Sequence, residues 1–106
     1  MIPKKNKLFV SEVRRVFSSP DKVTFSNLFK TQAVFDSDKP KFAVVIPRSV
    51  TKKSVERNRL RRQVYSLLSK VYKKQKPGLY VVVVNKKILT SSVDEIKKDL
   101  EKIFKL

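Results

Sequence analysis

The chain has 106 residues, is 41% apolar, and sets 26 Lys and Arg against 9 Asp and Glu, for a formal net charge of +17 and a pI of about 10.4. That length is expected to form a single domain, 1–106, with apolar content enough for a core without staples. With no Cys, no His and one Gly, disulfides, thiolate or imidazole catalysis, the usual zinc sites and glycine-rich phosphate loops are excluded.

A charge of +17 repels itself, and such imbalance is tolerated when a polyanion supplies the counter-charge. Nucleic acid is the first candidate and an anionic membrane surface the second. No apolar run approaches the roughly 20 residues of a membrane span. The opening MIPKKNKLFV falls far short of a signal-peptide core. The expectation is a basic cytoplasmic protein with no membrane association.

In chain order, Lys7–Phe17 is the first helix, with Phe9, Val13, Val16 and Phe17 on one face, Asn6 as its cap and Pro20 beyond its end. Thr24–Phe35 reads as one or two short strands, with Phe29, Thr31, Ala33 and Phe35 alternating on one face. Residues 36–41 form a turn, and the pair Asp36 and Asp38 belongs to it rather than to a metal site. Residues 42–46, FAVVI, are a β-branched run suited to a strand covered on both faces, ended by Pro47.

The second helix runs from Val55 to about Lys74, capped by Ser54, burying Leu60, Val64, Leu67, Leu68 and Val71. Residues 76–78, KPG, break it, and 79–84, LYVVVV, form the second buried strand. The last helix opens on the capping box Ser92-x-x-Glu95 and buries Val93, Ile96, Leu100, Ile103 and Phe104. Two apolar strands flanking one helix make a βαβ unit with parallel strands, so the fold class is an α+β two-layer sandwich on a sheet of about four strands.

The sharpest local feature is Arg57-Asn58-Arg59-Leu60-Arg61-Arg62 at a helix start, where the macrodipole disfavours cations. With Leu60 at the centre of the core face, Arg57 and Arg61 fall about 60° and 100° to one side, while Arg59 and Arg62 fall at about 260° and 200°. The guanidiniums therefore surround the first two turns, with Lys52 and Lys53 just before them. A solvated face is the ordinary reading of such a run. Ion pairing cannot account for this one, because Glu56 is the only acid between Asp38 and Asp94. Phosphate matches both the guanidinium forks and the open N–H groups of a helix start. The buried opposite face argues for folded RNA over a DNA major groove.

At ERNRLRRQVYSLL the chain resembles the protein subunit of bacterial ribonuclease P, and EVRRVF, KFAVVIPRSVTKK, GLYVVVV and SSVDEIKKDLEKIF extend the resemblance over nearly the whole length. The resemblance implies a left-handed βαβ crossover, like that of the second domain of ribosomal protein S5, where the general rule predicts a right-handed one. It implies an RNA-binding subunit of an endoribonuclease that removes the 5′ leader of precursor tRNA. The chemistry falls to the RNA, with Mg2+ held mainly by RNA and no catalytic or metal-ligating residue on this chain. The implied partners are ribonuclease P RNA and precursor tRNA, with the isolated protein a monomer. Carried over, Lys52, Lys53, Arg57, Asn58, Arg59, Arg61 and Arg62 face the catalytic RNA. Phe9, Val13, Val16, Phe17, Lys30, Gln32 and Arg48 line a cleft for the leader.

The sequence also departs from the family pattern. Val13 stands where the family usually carries an aromatic, leaving Phe9 or Phe17 to offer a stacking surface. The loop before the motif, 47–54, lacks the family's glycine. Two other readings stand beside this one: a small basic ribosomal or other structured-RNA-binding protein, and a self-sufficient nuclease, against which the lack of a converging carboxylate pair or histidine base weighs.

Overall fold

A computed structural model describes residues 7, 8, 10–35 and 37–104. Asn6, Phe9 and Asp36 lie outside the described residues. The elements are α1 (Val10–Ser18), β1 (Lys22–Phe25), β2 (Phe29–Val34), β3 (Pro40–Val45), α2 (Ser54–Leu68), β4 (Gly78–Val84) and α3 (Val93–Ile103), with short 3₁₀ turns at Tyr72–Lys74 and Lys86–Thr90. The strands form one sheet in the order β1-β2-β4-β3. β1 and β4 each pair antiparallel with β2, and β3 pairs parallel with β4. The expected α+β class and the parallel strands around α2 are both present.

One face of the sheet carries Phe29, Ala33, Phe42, Val44, Tyr80 and Val82 against Leu60, Val64 and Leu68 of α2 and Ile96 and Leu100 of α3. Phe42 stacks on Tyr80 at 5.1 Å, and Phe104 meets both rings edge-on at 5.6 and 5.8 Å. These contacts pin the end of α3 to the sheet, each such pair adding about 0.5–1.5 kcal/mol beyond burial. The other face carries Val34, Leu79 and Val81, covered by Val16 of α1.

Several boundaries differ from the sequence reading. α1 begins at Val10 because Lys7 and Leu8 are extended along β3: Lys7 bridges to Phe42, and the Leu8 amide donates to the Phe42 carbonyl at 3.0 Å. α2 starts at Ser54, so Lys53 holds the cap position, and no side chain caps the helix. It ends at Leu68, and Val71 stays buried because the chain turns there into the 3₁₀ segment. Leu67 is only partly buried. The capping box on α3 forms as expected, Ser92 accepting from the Glu95 amide at 3.2 Å and Glu95 from the Ser92 amide at 3.1 Å. Val93, expected in the core, is exposed in the first turn of that helix.

Candidate RNA interface

The connection from β3 to α2 is built around Thr51. Its carbonyl accepts Arg57 Nη1 at 3.0 Å, while its hydroxyl donates to Glu56 at 3.2 Å and accepts the Lys53 amide at 3.3 Å. Glu56 also faces Lys53 Nζ at 3.8 Å and is the one acid in the first turn. Arg57 is thus partly a structural residue, anchoring the loop to its helix. Within the helix, Asn58 Oδ1 accepts Arg61 Nη1 at 2.9 Å.

Arg57 and Arg61 are half-buried on one flank, whereas Asn58, Arg59 and Arg62 are exposed, as the helical wheel requires. Among the described residues, no hydrogen bond or ion pair engages the guanidiniums of Arg59 or Arg62. With no side-chain cap, the first N–H groups of α2 also stay open toward the same surface. An anion meeting this end of α2 finds guanidinium forks and backbone donors together.

The sequence missed Tyr65, two turns further along. Its hydroxyl accepts the Val44 amide at 3.2 Å, and Lys7 Nζ lies 5.1 Å from its ring. Lys7, Arg61, Arg62, Tyr65 and Ser66 line one open groove, extending the basic surface along the outer edge of β3. Burial raises the Tyr65 phenol above its usual value, opposed by the Val44 hydrogen bond and the Arg61 charge.

The second candidate surface is the α1 face of the sheet. Residues directly opposite in a ladder share a face. The register therefore sets Val23 beside Gln32 and Val81, and Phe25 beside Lys30, Val83 and Val45. α1 covers part of this face and is tied to β3 by Glu12 and Lys41, 3.2 Å apart. Beyond that cover Val45 and Val83 are half-buried, while Val23, Phe25 and Lys30 are exposed.

Of the expected cleft residues, Lys30 and Gln32 do lie on the α1 face. Gln32 is 7% exposed, and its Oε1 has no hydrogen-bond partner among the described residues. Phe17, at 45% exposure, and the half-buried Val13 lie on α1 itself. Val16 is corrected: it is fully buried against Val34, Leu79 and Val81, so it anchors α1 and presents no surface to a ligand. Burying such a side chain contributes about 1.5–3 kcal/mol. Arg48 is exposed on the turn between β3 and α2.

Phe25 was not foreseen. It is 71% exposed, with Lys30 Nζ 5.6 Å from its ring. Only the strand register reveals that it shares a face with Lys30. The row Phe25–Lys30–Val83–Val45 crosses the sheet at the end where β3 leaves for α2. The arginine-bearing helix start and the open end of the α1 face thus sit at one end of the molecule.

A basic helix start on a mixed four-stranded sheet, beside an aromatic and lysine-bearing sheet face, defines an α+β protein of the RNA-binding class. A family model, Ribonuclease P, matches residues 2–106, and the chain belongs to that family. Its members are protein subunits of ribonuclease P, in which catalysis resides in the RNA. No curated protein matches the chain by sequence. A Staphylococcus aureus RNase P protein mutant with defective mRNA degradation activity superposes with a TM-score of 0.85 at 12% identity, over 94% of this chain and 86% of that one. The Staphylococcus aureus RNase P protein gives 0.82 at 11% identity, over 92% and 91%. The Thermotoga maritima RNase P protein gives 0.79 at 17% identity, over 93% and 94%. At these identities the likeness concerns the fold.

Proposed function

We propose that the chain docks on ribonuclease P RNA through the start of α2 and holds the single-stranded 5′ leader of precursor tRNA on the α1 face of the sheet. Lys52, Lys53, Arg57, Asn58, Arg59, Arg61 and Arg62 serve the first contact. Val13, Phe17, Val23, Phe25, Lys30 and Gln32 serve the second, with Arg48 between the two surfaces.

The observation that carries this reading is the common end of the sheet at which the arginines and the row Phe25–Lys30 emerge. One RNA complex can engage both without wrapping the protein. Phe25 supplies the stacking surface that Val13 lacks, worth about 1–3 kcal/mol per base, and Lys30 stands ready for the adjoining phosphate.

Mg2+ belongs to the holoenzyme and is held mainly by RNA. Among the described residues no three His, Cys, Asp or Glu side chains converge on one point. The isolated protein is a monomer in this proposal, since a net charge of +17 opposes self-association. It acts in the cytoplasm, and no helix among the described residues is long and apolar enough to cross a membrane.

The test is reconstitution with a bacterial ribonuclease P RNA at low magnesium. Binding of precursor tRNA by the holoenzyme should tighten as the leader grows from none to several nucleotides, and Phe25→Ala should remove most of that gain. Equal affinity for precursor and mature tRNA would overturn the leader assignment. Cleavage by the protein without RNA would overturn the subunit assignment.

A further inference from the structure

On the sheet face opposite α1, the β1–β2 hairpin is left open past the end of α3. Lys22 and Thr24 of β1 stand beside Ala33 and Thr31 of β2, and Tyr80 of β4 follows in the same row as Ala33. A groove of about 190 Å³ runs between them and the segment around Gln75 and Lys76. Its floor holds Thr31, 4% exposed, whose hydroxyl has no hydrogen-bond partner among the described residues. Phe35 forms one wall, 39% exposed and edge-on to Tyr80 at 6.1 Å. Lys76 Nζ lies 5.2 Å from the Phe35 ring, and the Tyr80 hydroxyl fixes the Lys76 backbone by donating to its carbonyl at 2.6 Å. Among the described residues the lining includes two lysines and no carboxylate.

We propose that this groove is a second RNA subsite that takes one unpaired nucleotide: base against Phe35 and Thr31, phosphate between Lys22 and Lys76. The inference rests on the RNA-binding reading above. The space is below the ~300–1,000 Å³ of a drug-sized pocket, which suits one flat ring and no folded element. Buried hydroxyls are ordinarily partnered, so an orphaned one on the floor of a basic, aromatic-walled groove points to a ligand that completes it. β1 is the sheet's edge strand, and its side chains alternate between the two faces: Val23 and Phe25 toward α1, Lys22 and Thr24 toward this groove. A strand leaving Phe25 therefore has only β1 to cross.

The experiment follows amide shifts of the 15N-labelled full chain during titration with a short single-stranded oligouridylate, then with AMP and with inorganic phosphate. With oligouridylate, Thr31, Phe35 and Tyr80 should shift along with Phe25 and Lys30, and AMP should move the first three as well. Thr31→Val keeps the shape and removes only the orphaned hydroxyl, so its denaturation midpoint should not fall. Half-saturation at Phe35 and Tyr80 should then need about threefold to tenfold more oligonucleotide, the worth of one hydrogen bond, with Phe25 unchanged. Shifts at Phe25 and Lys30 alone would sink the second subsite and leave the leader surface standing. No shift on either face would sink both. Equal effects of inorganic phosphate, unchanged binding by Thr31→Val, or a lowered midpoint for that variant would each overturn the nucleotide assignment.

Discussion

The carboxylate of Asp99, 4% exposed on α3, accepts the Ser26 hydroxyl at 2.6 Å and the Leu28 amide at 3.0 Å. One buried acid thereby clamps the β1–β2 turn to a helix more than 70 residues later. Asp99→Ala strands a buried amide and a hydroxyl together and should cost about 2–3 kcal/mol by chemical denaturation, since hydrogen bonds to charged groups run at ~1.5–3. Asp99→Asn keeps an acceptor and should cost less. Wild-type stability in the alanine variant would remove the clamp.

The four arginines of the motif should separate into two kinds. Arg59→Ala and Arg62→Ala remove exposed guanidiniums that the fold does not use. Stability should hold within about 0.5 kcal/mol while the salt slope of binding to ribonuclease P RNA falls by about 0.7–0.9 per lost phosphate contact. Arg57→Ala also releases the Thr51 carbonyl and should lose stability as well as binding. An unchanged slope for Arg59→Ala would place that side chain away from RNA.

Gly78 is the only glycine, and a Cβ there would stand 3.0 Å from Phe35 Cδ1 and 3.1 Å from the Val34 carbonyl oxygen. The ring can turn, but the strand carbonyl cannot. Gly78→Ala should therefore destabilise by about 1–3 kcal/mol, as overpacking does, and disturb the amide signal of Phe35. A neutral result in a thermal melt would show that β2 and β4 spread freely at that end.

Burial raises the phenols of Tyr65 and Tyr80, Tyr65 despite opposing pulls from Val44 and Arg61. A raised folded value means that the folded chain keeps protons which the unfolded chain has already lost. The associated stability is complete below the ordinary phenol value of about 10 and declines as pH climbs through the folded values. Denaturation midpoints should fall above pH ~10, and less steeply in Tyr65→Phe. That variant should also cost about 1 kcal/mol near neutrality, because the Val44 amide loses its acceptor. A flat profile would contradict the burial of these hydroxyls.

The readable parts of the chain were those governed by local pattern. β-branched runs gave β3 and β4, helical spacing gave the core face of α2, and Ser92 and Glu95 gave the start of α3. Where neighbours decide, the pattern failed. Adjacent Val16 and Phe17 both fit an apolar stripe, but the helix sets Val16 into the sheet and leaves Phe17 at 45% exposure. Val71 obeys the α2 period yet belongs to a turn, since burial can be met without continuing the helix. Phe25 ends a polar strand with no signature of its own. Its place beside Lys30 depends on a pairing register that only the hairpin sets.

The outer edge of β3 is stoppered twice, by the Leu8 amide on the Phe42 carbonyl and by the Tyr65 hydroxyl under the Val44 amide. A foreign strand would have to displace both before it could add there. The opposite margin, β1, is four residues long and begins with a lysine. A chain this strongly cationic thus reaches its RNA with little means of zipping onto another copy and seeding fibrils.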